Sequence, residues 1–181
     1  MRDHSRKSIA YHEAGHVVVY WHLTGRAPIR VTIEPSKGVL GRVDHKMLID
    51  KKHLSPDIGD EARVRGEKKI MIKLAGPVAE QRYSSRSRRN DHASMDWLEA
   101  FDIARRLIGN EREAIAYIAW LEYRTTDVIE QQWQNVKRVA GALLRQDTLS
   151  GAELQKTLMP MLLPICFAPI EFWPGIGRQI P

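Results

Sequence analysis

The sequence predicts a mainly helical α+β domain, in which an H-E-x-x-H helix packs near a small β-sheet and a C-terminal helical bundle follows. Apolar residues recur at three- and four-residue spacing through most of the chain. Two short β-branched runs, at 29–33 and 39–43, interrupt that pattern. Capping signals punctuate the second half. A chain of 181 residues fits a single domain with its own core.

The elements follow in order. Ser5 and Ser8 are N-cap candidates for a first helix reaching about residue 23 and closed by Thr24-Gly25. Its Ala10, Ala14, Val17, Val18 and Trp21 share one face and are expected in the core. Ile29-Arg30-Val31-Thr32-Ile33 alternates and ends before Pro35, and Gly38 and Gly41 flank the second extended segment; the two read as neighbouring strands. Residues 46–59 read as loop. Ile70, Met71, Leu74, Ala75, Val78 and Ala79 mark a second helix preceded by charged turns from Glu61, which Pro77 is expected to kink or split because it lacks an amide donor.

Residues 82–90 are polar, basic and aperiodic, hence a loop. A third helix is expected over about 95–108, with Leu98, Phe101, Ala104 and Leu107 in register and Gly109 after it, then a shorter one over 111–123. Asp127-x-x-Glu130 reads as a capping box opening a helix that carries Ile129, Trp133, Val136, Ala140, Leu143 and Leu144. Ser150-x-x-Glu153 is a second box, opening a short helix to about 158. The domain is thus expected to fill 1–158. The remaining 159–181, apolar but interrupted by Pro160, Pro164, Pro169 and Pro174, reads as a strap on the domain's own surface or a contact for another subunit.

A composition 43% hydrophobic and 28% charged excludes a disordered chain and a polytopic membrane protein. The net charge of +6 permits contact with anionic partners without requiring it. Cys166, the single cysteine, has no internal disulfide partner, so a reducing compartment or indifference to redox is expected, and the location is expected to be cytoplasmic. Arg2, Arg6 and Lys7 lead into an amphipathic pattern instead of an apolar leader core, and no apolar run of about 18 residues occurs, so no membrane-spanning segment is expected.

The chemistry-bearing motif is His12-Glu13-Ala14-Gly15-His16. Residues i and i+4 of a helix share a face, so both imidazoles can reach one metal ion. Glu13, turned about 100° from His12, can touch water at that ion without ligating it. A catalytic zinc takes three protein ligands and leaves a fourth position for water. His22 has the spacing of a metzincin ligand, but Val19 replaces the glycine that would turn the chain back. Glu34 lies at a gluzincin-like distance, at the end of a strand. Asp96 follows a polar loop, and these three residues are the candidates for the third ligand.

Tyr11-His-Glu-Ala-Gly-His16, followed by Val31-Thr-Ile-Glu-Pro and Leu40-Gly41, resembles the proteolytic domain of the FtsH-type ATP-dependent zinc proteases. Leu74-Ala75-Gly76-Pro77-Val78-Ala79-Glu80 is similar to that family's L-G-G-R-A-A-E helix. Ala93-Ser94-Met95-Asp96 and Ala100-x-Asp102-Ile103-Ala104-Arg105 are similar to its G-A-S-N-D and A-T-D-I-A-R segments. Thr148-Leu149-Ser150-Gly151-x-Glu153-Leu154 is similar to its closing T-L-x-G-x-E-L. The resemblance implies zinc as cofactor, His12, His16 and Asp96 as its ligands, and Glu13 as catalytic base. His92, Met95 and Pro77 depart from the family's pattern, and no G-x-x-x-x-G-K-[ST] phosphate loop occurs in these residues.

The expected activity is therefore that of a zinc metalloendopeptidase acting on unfolded or flexible polypeptides, stand-alone with respect to this chain, with a separate ATPase or a homo-oligomer as candidate partners. A peptide is expected to add as a strand beside the 39–43 edge. The alternative from another class is a non-catalytic adaptor of protease fold or a basic nucleic-acid-binding module built on Arg82, Arg86, Arg88 and Arg89. With Tyr83 as its only aromatic, that stretch reads as a solvated loop and not as a stacking platform.

Overall fold

The computed structural model describes residues 2–35, 40–46, 48–84 and 91–159. The elements run α1 (Arg2–Thr24), β1 (Arg30–Thr32), β2 (Arg42–Asp44), a 3-10 turn (Lys51–His53), α2 (Asp60–Tyr83), α3 (Asp91–Ile108), α4 (Glu111–Gln131), α5 (Trp133–Arg145), β3 (Thr148–Ser150) and α6 (Gly151–Leu158). The mainly helical α+β architecture is as expected. No helix among the described residues is long and apolar enough to cross a membrane.

Helix α1 lies against α2 and α5, with Ala10, Ala14, Val17 and Val18 fully buried and Trp21 half-buried. It begins at Arg2, so Ser5 and Ser8 lie inside the helix and are not its caps. Its end is as expected: Gly25 takes φ 68° and its amide donates to the Trp21 carbonyl at 2.8 Å, a left-handed closure that favours glycine. A Cβ on Gly15 would stand 2.4 Å from the Ala75 carbonyl oxygen and 2.7 Å from the Ala79 Cβ, so glycine is what lets α1 and α2 approach this closely.

The sheet has the order β2-β1-β3 and is antiparallel throughout, with Val31 opposite Val43 on one side and Leu149 on the other. The two predicted strands are neighbours, but the second pairs over Arg42–Asp44 and not at 40–41; residue 39 of the expected segment lies outside the described residues. β3 was not legible, because three residues around one buried Leu149 give no periodicity. The Ser150–Glu153 capping box is present: the Ser150 side chain accepts from the Glu153 amide, and Glu153 accepts from the Ser150 amide at 2.8 Å.

Three helix expectations are corrected. At Pro77 the split, one of the two expected effects, is corrected: α2 continues through it, since the burial of Ala75, Gly76, Val78 and Ala79 on both sides outweighs one missing donor. α3 starts at Asp91, ahead of any apolar periodicity in Asp-His-Ala-Ser, so Asp96 lies inside the helix and not at its start. α4 continues past residue 123 to Gln131, and Asp127 is within it, not a cap. The stripe Ala114, Ile118, Leu121, Thr125 and Ile129 is buried at unbroken helical spacing and carries the helix through. The break falls at Gln132, and α5 begins at Trp133.

Of the basic stretch, Arg82 belongs to α2, where it pairs with Glu130 and lies 4.5 Å from the centre of the Trp133 ring; it is not a loop residue. Arg86, Arg88 and Arg89 lie outside the described residues, as does all but Met159 of the 159–181 segment.

Candidate metal centre

Helical spacing aims the two histidines together. His12 and His16, one turn apart on α1, are both buried and their Nε2 atoms stand 3.1 Å apart. Asp96 comes from α3, and its Oδ2 lies 3.1 Å from His12 Nε2 and 3.0 Å from His16 Nε2. Among the described residues, this trio is the group of His, Cys, Asp and Glu side chains that converges closely enough to hold a metal ion, with all donor atoms within 4.8 Å of one another. His22 and Glu34 are exposed and lie outside the group.

The opposite side of each ring is held by α2. His12 Nδ1 meets Glu80 Oε2 at 3.1 Å, and His16 Nδ1 donates to the Ile72 carbonyl at 2.6 Å. With Nδ1–H so engaged, a ring that gives up its Nε2 proton to make way for a cation offers its lone pair at Nε2, facing the trio's centre. Ile72, Gly76 and Glu80 recur every four residues, so one face of α2 supplies both partners and the space between them. A Cβ on Gly76 would fall 2.4 Å from His16 Nε2 and 2.6 Å from His12 Nε2. Glycine is required there by the rings.

Glu13 is buried with the histidines, and Gly41 lies against its carboxylate: a Cβ at residue 41 would sit 2.4 Å from Glu13 Oε1. The chain entering β2 therefore passes directly over Glu13.

The charges are strongly coupled. Burial works against a charge on His12, but Asp96 and Glu80 outweigh it and push its pKa up to about 9. Burial likewise works against the Asp96 carboxylate, while His16, His12 and Lys73 hold it well below the usual carboxylate range. Lys73 reaches Asp96 Oδ1 at 3.2 Å and Glu99 Oε2 at 2.9 Å; these carboxylates outweigh its burial and keep it charged.

The donor set suits zinc. Ligands of a tetrahedral zinc with bonds of about 2.0–2.1 Å lie about 3.3 Å from one another. The His12, His16 and Asp96 donor triangle has edges of 3.0–3.1 Å, a few tenths tighter. Two imidazole nitrogens and one carboxylate oxygen form the kind of three-ligand set that leaves a fourth position open.

Sequence reasoning missed Glu80, Lys73, Gly41 and the Ile72 carbonyl. The four-residue interval of 72, 76 and 80 was a signal for part of this outer layer. Nothing in the sequence marks a backbone carbonyl as a histidine's partner.

The site is thus one of the class in which an H-E-x-x-H helix meets a carboxylate from a separate helix. No family model matches the sequence. The chain is similar to the ATP-dependent zinc metalloprotease FtsH of Magnetococcus marinus, 35% identical over 107 residues that make up 59% of this chain and 15% of that protein. It is also similar to proteins of the same name from Neorickettsia risticii, 24% identical over 190 residues, and Rickettsia conorii, 25% identical over 195 residues. Each of these two alignments covers 87% of this chain, and they cover 29% and 30% of the respective relatives. The similarity over most of the chain supports a common origin with FtsH-type proteins. The chain spans 15–30% of the length of these relatives.

Proposed function

We propose that these residues form a zinc-dependent endopeptidase domain that hydrolyses peptide bonds in unfolded or flexible polypeptides. The observation that carries this is the convergence of His12, His16 and Asp96 on one point, beside a buried Glu13 on the same helix. His12 and His16 would hold zinc through Nε2, and Asp96 through Oδ2. Zinc held there would make water more acidic and polarise the scissile carbonyl. Glu13 acts as general base, taking a proton from water and passing it to the leaving amine. Glu80 and the Ile72 carbonyl would set the tautomer and orientation of the two rings.

The sheet supports this substrate class. β2 ends the order β2-β1-β3, and its outer edge carries no strand among the described residues. Its Gly41 end lies against Glu13, so a peptide adding to that edge runs past the base. Only an extended segment can pair in this way, and a folded domain with about 5–15 kcal/mol of stability exposes such segments too rarely. The nucleic-acid alternative finds no support in Arg82, which is engaged by Glu130 and Trp133.

Metal analysis of the purified protein beside a casein assay tests the proposal. One zinc per chain is expected, with hydrolysis abolished by a chelator and restored by zinc. Asp96→Ala should lose the metal, whereas His22→Ala and Glu34→Ala should keep it. Full zinc in Asp96→Ala, with loss in Glu34→Ala, would replace the ligand assignment.

A further inference from the structure

Lys73 is an unexpected residue where it stands. It lies in the otherwise apolar run Ile70-Met71-Ile72-Lys73-Leu74 of α2, with a side chain only 27% exposed. Its neighbour Ile72 supplies the carbonyl that holds His16, and its ammonium crosses from α2 to α3 to meet Asp96 Oδ1 at 3.2 Å. The two oxygens of Asp96 are thereby divided: Oδ2 faces both Nε2 atoms, at 3.1 and 3.0 Å, and Oδ1 faces Lys73.

We infer that Lys73 is a positioning residue for the metal centre, holding Asp96 Oδ1 so that Oδ2 alone is presented to the cation that His12 and His16 would hold. The inference rests on the ligand assignment above. Rotation of an aspartate carboxylate about its last bond is soft and nearly two-fold, so the carboxylate by itself can exchange its oxygens or offer both. A charge-assisted bond to one oxygen removes that freedom. A bare ammonium beside a ligand would also repel a divalent cation. Here Glu99 Oε2 lies 2.9 Å from the same Lys73 Nζ and offsets its charge, so the pair contributes orientation with little net field. The bond also ties α3, which brings the carboxylate, to α2, which holds both imidazoles.

Orientation and charge make opposite predictions for removal of the ammonium. If Lys73 acted only as a positive charge, its loss would tighten zinc binding; as a positioning residue, its loss weakens it. The experiment measures zinc affinity of the full chain by competition with a chromophoric chelator, and the visible spectrum of the cobalt(II)-loaded protein. Lys73→Met keeps the aliphatic stem, Lys73→Arg restores a cation that can reach a carboxylate, and Lys73→Gln is the second neutral variant should Lys73→Met fail to fold. We expect about a 10–100-fold loss of zinc affinity in the neutral variants, the usual size for an outer partner of a metal ligand. Altered cobalt bands should accompany that loss, and Lys73→Arg should recover most of the affinity. A folded neutral variant that binds zinc as tightly as wild type, or more tightly, overturns the role of Lys73 alone. A wild-type protein that takes up no zinc overturns the ligand assignment, and this inference with it.

Discussion

Glu80 Oε2 lies 3.1 Å from His12 Nδ1, while Asp96 Oδ2 lies 3.1 Å from Nε2 of the same ring. The imidazole is held between two carboxylates from different helices. Glu80, on the α2 face, is itself buried at 5% exposure. A carboxylate behind a ligating histidine fixes its tautomer and raises its basicity. Glu80→Ala is therefore expected to weaken zinc binding by about 10–100-fold. The check is chelator competition on protein whose helical circular dichroism matches wild type.

Gly76 gives a steric test of the same centre. Alanine in place of a mid-helix glycine ordinarily stabilises a helix by about 0.5–1 kcal/mol. At Gly76 the added methyl would stand 2.4 and 2.6 Å from the two Nε2 atoms, so the rings must move. Gly76→Ala should keep its helical content and lose at least about tenfold in zinc affinity, the lower end of the range for disturbed ligand support. Wild-type zinc uptake in that variant would contradict the packing described.

Arg82 should matter to stability and not to the metal. It pairs with Glu130 and lies over the Trp133 ring, joining the end of α2 to α4 and α5. Arg82→Ala is expected to cost about 1 kcal/mol in denaturant unfolding, the sum of a partly exposed ion pair and a cation–π contact. Its zinc content should equal that of wild type.

The parts of the fold legible in the sequence were those whose signal is local and repeated. The α1 stripe from Ala10 to Val18, the Gly25 stop and the Ser150–Glu153 box each rest on residues a few positions apart. The two histidines were legible for the same reason, since four-residue spacing on a helix is itself the geometry of the site. Asp127 misled because an N-cap pattern also occurs inside helices, and the buried Thr125 and Ile129 decide for continuation. Asp96 was one of three open candidates on residue spacing, and the resemblance alone selected it. What brings it 3.0 Å from His16 is the packing of α3 on α2, a contact between residues 80 positions apart. Lys73 and Glu80 were hidden similarly: each is a charge within a helix whose partner lies on another element.

The last capping box carries a pH dependence that can be worked out in sign. Glu153 accepts from the Gln146 side chain and from the amide and hydroxyl of Ser150, which hold its pKa down to about 2. A carboxylate depressed in the folded state contributes stability above its unfolded pKa of about 4.3, and that contribution is lost as pH falls toward the folded value. Glu153→Gln should therefore lower the thermal midpoint at pH 6, and the gap to wild type should shrink steadily between about pH 4 and pH 2. A gap that widens with acidification would contradict the bonding at Ser150.

The central claim is that Glu13 performs proton transfer at a zinc held by its neighbours, and Glu13→Gln isolates that step. An amide has the same shape and cannot take the proton. Casein hydrolysis by the zinc-loaded variant, measured beside wild type with the zinc content of both determined, should show one zinc per chain in each. The rate of the variant should be lower by about 10²–10⁴-fold. Hydrolysis by Glu13→Gln at the wild-type rate, or a zinc-loaded wild type that leaves casein intact, would contradict the account.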